Sequence, residues 1–209
     1  MNQNYKEEIG KLLLKITGKA EFTDKISAFL DFLLLKNNEL NLVSRKLTIE
    51  EILQDHFYDS LVGYPFFKPH ASITDIGTGG GFPGIILSII FPDKKITLIE
   101  KSPKKSNFLN EAVEHLFLKN VLIKNTLVDL CRIDSQVLTC RAFKETVEIL
   151  DMTKTFFNSN GKYILYKARL DKINEELLYA RKKYRIKKEI HKIESIKDKE
   201  RHIVLLEKD

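Results

Sequence analysis

The chain has little cysteine. Its only two, Cys131 and Cys140, form neither a C-x-x-C pair nor the spacing of a zinc site. That excludes a disulfide scaffold and points to a reduced, cytoplasmic protein with no metal. Long hydrophobic runs are missing too. The best candidate, Ile85 to Phe91, is far too short to span a bilayer, and Met1 to Lys11 is polar rather than a signal core. No membrane partner is expected, and residues 1–63 contain no repeat. Charge of one sign is not extreme. The 35 Lys and Arg against 29 Asp and Glu leave a net charge of +6, which favours a polyanionic partner over a basic one. A G-x-S-x-G elbow is absent, so His56, Asp59 and Ser60 lack the frame of a hydrolase triad. His56 and Asp59 lie three apart on one helix face and are read as pinning a helical segment to the rest of the fold.

Glycine is sparse, nine in all, yet Gly77, Gly79, Gly80, Gly81 and Gly84 fall within one stretch, Asp75-Ile76-Gly77-Thr78-Gly79-Gly80-Gly81-Phe82-Pro83-Gly84. An apolar run precedes it and an apolar helical segment follows. This reads as strand, tight turn and helix, with a ligand close against backbone that has no Cβ in the way. Pro83 suits the first helical position. The phosphate-loop ending G-K-[ST] is absent. The dinucleotide pattern G-x-G-x-x-G fails from Gly77, where Phe82 stands in place of glycine. It fits from Gly79 only with Pro83 removing an N–H from the turn. Asp75 would repel a pyrophosphate. It suits a ligand with a cationic end, such as S-adenosylmethionine.

The order of elements gives the architecture. Residues 5–16 and a segment from Thr23 to about Leu40 are amphipathic helices, and Thr48-Ile49-Glu50-Glu51 is a capping box opening a third. Residues 1–63 are therefore expected to form a helical extension, with Pro65 and Pro69 flanking a short linker. Residues 64–209 are expected to form a Rossmann-like domain. Strands at 73–76, 96–100, 120–123, 137–140 and 162–167 alternate with helices at 83–91, from Ser102, at 144–157 and from Asp171. Runs at 185–193 and 201–207 form a hairpin around the turn Ser195 to Glu200. The expected fold is α/β, a doubly wound, mostly parallel sheet with one antiparallel strand. Its ligand lies at the C-terminal strand ends.

That crevice gathers the candidate residues. Glu100, 23 residues past Gly77, is placed to accept both hydroxyls of an adenosine ribose. Val128 and Asp129 follow the third strand, where an adenine would lie. Arg141 follows the fourth strand and offers a planar fork of donors. The run from Arg181 to Lys188, with Tyr184 inside it, either tracks phosphates or is a lysine-protected edge strand. Arg45, Lys46, Lys101, Lys104 and Lys105 add positive charge near the crevice mouth. From the residues alone three readings stand: a methyltransferase, an NAD-type oxidoreductase using the same loop, and a non-catalytic nucleotide- or RNA-binding module.

These residues resemble a known family. Asn41-Leu42, His56-Phe57-Tyr58-Asp59-Ser60-Leu61, the loop from Asp75 to Gly84 with its Phe82-Pro83-Gly84 ending, Lys104-Lys105 with Phe108-Leu109, and Arg141-Ala142 are similar to the bacterial 16S ribosomal RNA guanine-N7 methyltransferases. That family is small-subunit methyltransferase G, also called glucose-inhibited division protein B. The resemblance implies the class I S-adenosylmethionine-dependent methyltransferase fold and methyl transfer to N7 of a guanine in 16S rRNA, within the small ribosomal subunit and by a monomer. It also implies cofactor contacts from Gly77, Phe82, the Leu127-Val128 backbone and Arg141, with Glu100 on the ribose. Asp75, Gly79 and Asp129 complete the expected cofactor site. The chain departs from the family at Val128, where an acidic residue is frequent, and at Ser135-Gln136, where Phe-Asp is usual. Guanine N7 carries a free lone pair and no proton, so no catalytic base is expected. Arg141 is the best candidate for a positioning group.

Overall fold

The computed structural model describes residues 3–194 and 199–209. Its centre is a seven-stranded sheet in the order β3-β2-β1-β4-β5-β7-β6. The strands are β1 (Ser72–Ile76), β2 (Lys95–Ile99), β3 (Val121–Lys124), β4 (Val137–Arg141), β5 (Lys162–Lys167), β6 (Ile186–Lys192) and β7 (His202–Lys208). Strands β1 to β5 are parallel, and β7 runs antiparallel to both β5 and β6. This is the mostly parallel, doubly wound sheet expected from the alternation of elements.

Both sheet faces are covered, and side chains along the strands alternate between them as the period of two requires. In β5, Ile164 and Tyr166 join one core cluster while Tyr163 and Leu165 join the other. The first cluster takes in α1 (Gln3–Thr17), α2 (Thr23–Leu40), α6 (Gly84–Ile90) and α7 (Pro103–His115). The second takes in α8 (Thr146–Met152), α9 (Lys154–Asn158) and α10 (Leu170–Arg181). Ile9 and Leu13 of α1 and Phe29 and Leu33 of α2 are fully buried. The N-terminal helices thus share a core with β1, α6 and α7.

Four local features differ from the sequence expectation. The third helix starts at the expected capping box, Thr48 Oγ1 accepting from Glu51 N and Glu51 Oε2 from Thr48 N. It then changes pitch. After α3 (Ile49–Ile52) the chain forms a π-helical segment, Leu53–Tyr58, before α4 (Asp59–Leu61). Such insertions gather at functional sites because they re-aim side chains and free carbonyls. The expected linker contains α5 (Tyr64–Phe67), with Phe67 fully buried. The expected helix 144–157 divides at Thr153, whose hydroxyl bonds back to Ile149 O and meets Tyr163 OH at 2.8 Å. Thr153 leaves the helical region there, with φ −117 and ψ 28. Pro83 sits at the N-cap of α6, one residue outside the helix.

The basic run also resolves. Tyr184 is buried with its hydroxyl on Asp151, and Lys183 pairs with the same carboxylate. Its ring faces the core and is not free to stack on a base. Strand β6 is the sheet edge and carries Lys187 and Lys188. Of the expected hairpin turn, Ser195 to Asp198 lie outside the described residues, as do Met1 and Asn2.

Between α4 and α5 the fit is tight. Tyr166 OH donates to Ser60 O at 2.8 Å, and a Cβ on Gly63 would lie 2.0 Å from the same hydroxyl. Gly63→Ala is therefore expected to lower stability by about 1–3 kcal/mol through overpacking. A urea midpoint unchanged from wild type would contradict this.

Candidate active site

The C-terminal ends of β1 and β2 present the glycine turn. Gly77 N donates to Ile99 O at 2.8 Å, which ties the start of the turn to the neighbouring strand. Gly79 has φ +56, and a Cβ there would find only Gly77 O, at 3.9 Å. Its front is open. Gly84 shows the opposite constraint, since a Cβ would lie 2.2 Å from Leu98 Cδ2 and 2.8 Å from Asp75 Oδ2. Only glycine lets α6 start this close to the sheet.

Two carboxylates hold the turn from behind and beside it. Asp75 is fully buried and its Oδ2 accepts the Gly84 N–H at 2.9 Å. Burial pushes its carboxyl up to about 7, against the pull of the nearby Thr78 hydroxyl, the Gly84 N–H and Arg141. Asp75 Oδ1 and Thr78 Oγ1 are buried without a well-formed hydrogen bond. Glu100, just past β2, accepts Gly79 N with Oε2 at 3.0 Å and Ser102 N with Oε1 at 2.8 Å. Its backbone carbonyl accepts from Asn125 Nδ2 at 2.8 Å. Glu100 therefore joins the glycine turn, the start of α7 and the loop after β3.

Arg141, the last residue of β4, turns toward the π-helical segment. It donates to Asp55 O, meets His56 Nδ1 at 2.6 Å and lies 3.9 Å from Asp59 Oδ2. Its guanidinium also stands 5.6 Å from the ring centroid of Phe82, which is buried against Phe29 and His56. Arg201 Nε reaches Asp59 Oδ2 at 2.9 Å, and Lys199 pairs with Asp55 at 2.6 Å. Burial lowers His56 to about 4, with Arg141 as the second cause, so its Nδ1 is neutral and accepts. His56 and Asp59 thus pin the helical segment to the sheet, as their shared face suggested.

The remaining candidates divide. Leu127 is exposed, Val128 is buried at the start of a 3-10 turn, and both follow β3 near Glu100 and Asn125. Asp129 is exposed and borders a cavity of about 1030 Å³. That cavity also touches Gln136 and Lys162 at the N-terminal ends of β4 and β5, away from the turn. A second cavity of about 550 Å³ lies where β4 and β5 end, bordered by His56, Arg141, Phe143 and Tyr166. By the rule for open α/β sheets, the second has the position of a functional crevice.

A family model described as rRNA small subunit methyltransferase G matches residues 23–204. The chain belongs to this family. A Bdellovibrio bacteriovorus protein named Ribosomal RNA small subunit methyltransferase G 1 is 38% identical over 185 residues, covering 87% of this chain and 89% of that one. The Brachyspira hyodysenteriae Ribosomal RNA small subunit methyltransferase G is 38% identical over 186 residues, covering 88% and 89%. Among solved structures, an O-methyltransferase from Bacillus cereus in complex with SAH superposes with a TM-score of 0.59 over 87% of this chain and 91% of that one. At 14% identity that likeness concerns the fold alone.

Two features of this small-subunit methyltransferase G chain were not readable from sequence. The π-helical insertion breaks a 3.6-residue pattern without changing its composition. The partners of Asp55 and Asp59 stand more than 80 residues away, so no local spacing announces them. Removing Arg141 takes the donor from Asp55 O and His56 Nδ1, while the Asp59 carboxylate keeps Arg201 and the Asp55 carboxylate keeps Lys199. Arg141→Met is expected to cost about 2–4 kcal/mol of stability and to raise the His56 pKa from about 4 toward 6.5. A His56 titration unmoved by the substitution, followed by NMR, would contradict the pairing. The pH dependence has two opposed parts. His56 contributes stability above pH 6.5 that is lost as pH falls through about 4. Asp75 contributes stability below pH 3.8 that is lost as pH rises through about 7. The Asp75→Asn variant is therefore expected to show a steeper loss of stability than wild type between pH 6.5 and 4.

Proposed function

We propose that the chain transfers a methyl group from S-adenosylmethionine to N7 of a guanine in 16S ribosomal RNA, within the small subunit and as a monomer. Family membership supports the reaction. The observation that carries the site is the open front of Gly79 beside Glu100. Each Glu100 carboxylate oxygen accepts one backbone N–H and keeps a further lone pair, so the pair suits two ribose hydroxyls. The residues present therefore fit the cofactor.

When bound, S-adenosylmethionine supplies a methyl group activated on a sulfonium. The roles of the protein follow from placement. Gly77 and Gly79 offer backbone without side chains, and Phe82, its ring against Phe29 and His56 and its N–H on Thr78 O, braces the turn from the core side. Asp75 fixes the far end of the turn by accepting the Gly84 N–H from behind. Leu127, Val128 and Asp129 border the adenine end. Arg141 orients the helical segment over the crevice. No group needs to remove a proton, because guanine N7 reacts through a free lone pair. Alignment and water exclusion are the work left to the chain. Residues 1–63 then serve as a helical arm and 64–209 as the methyltransferase domain. The net charge of +6 suits an RNA partner.

Labelled cofactor incubated with undermodified small subunits tests the reaction. Label released by borohydride reduction and aniline scission at one guanine is expected. Label elsewhere, or none, contradicts the proposal. Gly79→Val places a branched side chain into the open front at a positive φ. It is expected to weaken S-adenosylhomocysteine binding by about 100-fold while the circular dichroism spectrum stays native. Unchanged calorimetric affinity would count against the cradle.

A further inference from the structure

Phe143 has no part in the cofactor site proposed above, yet its placement is unusual. Ala142, directly after β4, has φ +49, a conformation that L residues with a Cβ rarely adopt and that concentrates at functional sites. This turn lays the Phe143 ring on the first residue of the glycine turn: a Cβ on Gly77 would be 2.3 Å from Phe143 Cδ2 and 2.5 Å from Cε2. The ring is half-buried, packed against the second core cluster, and borders the 550 Å³ cavity at the ends of β4 and β5. It stands between the turn proposed to hold the methyl donor and a cavity of ligand size.

We infer that Phe143 is the surface on which the target guanine stacks, and that it favours the base most as the base becomes cationic. The inference rests on the guanine-N7 reading. As N7 takes the methyl group, its lone pair forms the new N–C bond. The S–C electron pair stays on sulfur, which becomes a neutral thioether, and the positive charge passes to the purine. No proton moves. A cation beside the base would oppose that charge, but the lysines and arginines among the described residues of this cavity are engaged elsewhere. Arg141 is held at Asp55, His56 and Asp59, Arg201 lies on Asp59, Lys167 lies 2.6 Å from Glu176, and Lys144 pairs with Glu148. The negative face of an aromatic ring attracts a cationic purine more than a neutral one, which is the differential binding that lowers a barrier.

The test uses the absence of tryptophan from the chain. Phe143→Trp supplies a single tryptophan at the proposed platform, excited selectively over the seven tyrosines. Its emission is expected to be quenched by 7-methylguanosine 5′-monophosphate at concentrations about 3- to 30-fold below those needed for guanosine 5′-monophosphate. With undermodified small subunits, Phe143→Ala and Phe143→Leu are expected to lose about 10- to 100-fold in kcat/KM. Phe143→Tyr and Phe143→Trp are expected to stay within about 3-fold of wild type, and S-adenosylhomocysteine affinity to stay within about 3-fold throughout. Full activity of Phe143→Leu, or equal quenching by the two nucleotides, overturns the stacking role. Loss of cofactor affinity in step with activity overturns it as well. If wild type labels no guanine N7 but the tryptophan shows the expected preference, the proposed function falls and the stacking surface stands.

Discussion

A turn rich in glycine has many conformations to lose, and two carboxylates select one of them. Asp75 holds the far end at the Gly84 N–H, and Glu100 holds the middle at the Gly79 N–H. Both side chains come from the ends of adjacent parallel strands, so the sheet register sets the shape of the turn. A charge-assisted bond to a backbone N–H is stronger than a neutral one, and burial strengthens it further. The Asp75 carboxyl, pushed up to about 7 inside the protein, records what that burial costs. Glu100 extends the same control to α7 and to the loop after β3, the two elements beside any ligand in the crevice.

The other dependence is the junction between the helical arm and the sheet. Arg141 spans it with a backbone carbonyl, an imidazole and a carboxylate, while Phe82 from the glycine turn packs against the same guanidinium. The turn, the arm and the end of β4 are therefore one mechanical unit. His56 and Asp59 of the arm touch Arg141, and both Arg141 and His56 touch Phe82 of the glycine turn. The π-helical segment makes this possible by presenting Asp55 O and His56 Nδ1 to a single arginine.

Much of the fold was legible because it follows period and punctuation. Alternating apolar strands and amphipathic helices led to the parallel sheet, and five crowded glycines with Asp75 and Glu100 led to the crevice. The Thr48 capping box formed as its spacing implied. What escaped the sequence was decided by contacts between distant segments. The break at Thr153 lies where its hydroxyl meets Tyr163, and buried Tyr184 places its hydroxyl on Asp151. The pitch change at Leu53 leaves the apolar positions of its helix looking regular. Family resemblance supplied the target base, which no spacing in the chain encodes.

The central claim is that the ligand crevice is the glycine turn held by Asp75 and Glu100, and not the larger cavity at the opposite strand ends. Amide NMR during titration with S-adenosylhomocysteine separates the two directly. The account predicts the largest shifts at Gly77, Gly79, Glu100 and Val128, with residues 132–136 unmoved. Shifts centred on 132–136 and Lys162, or a spectrum that does not change, would contradict it.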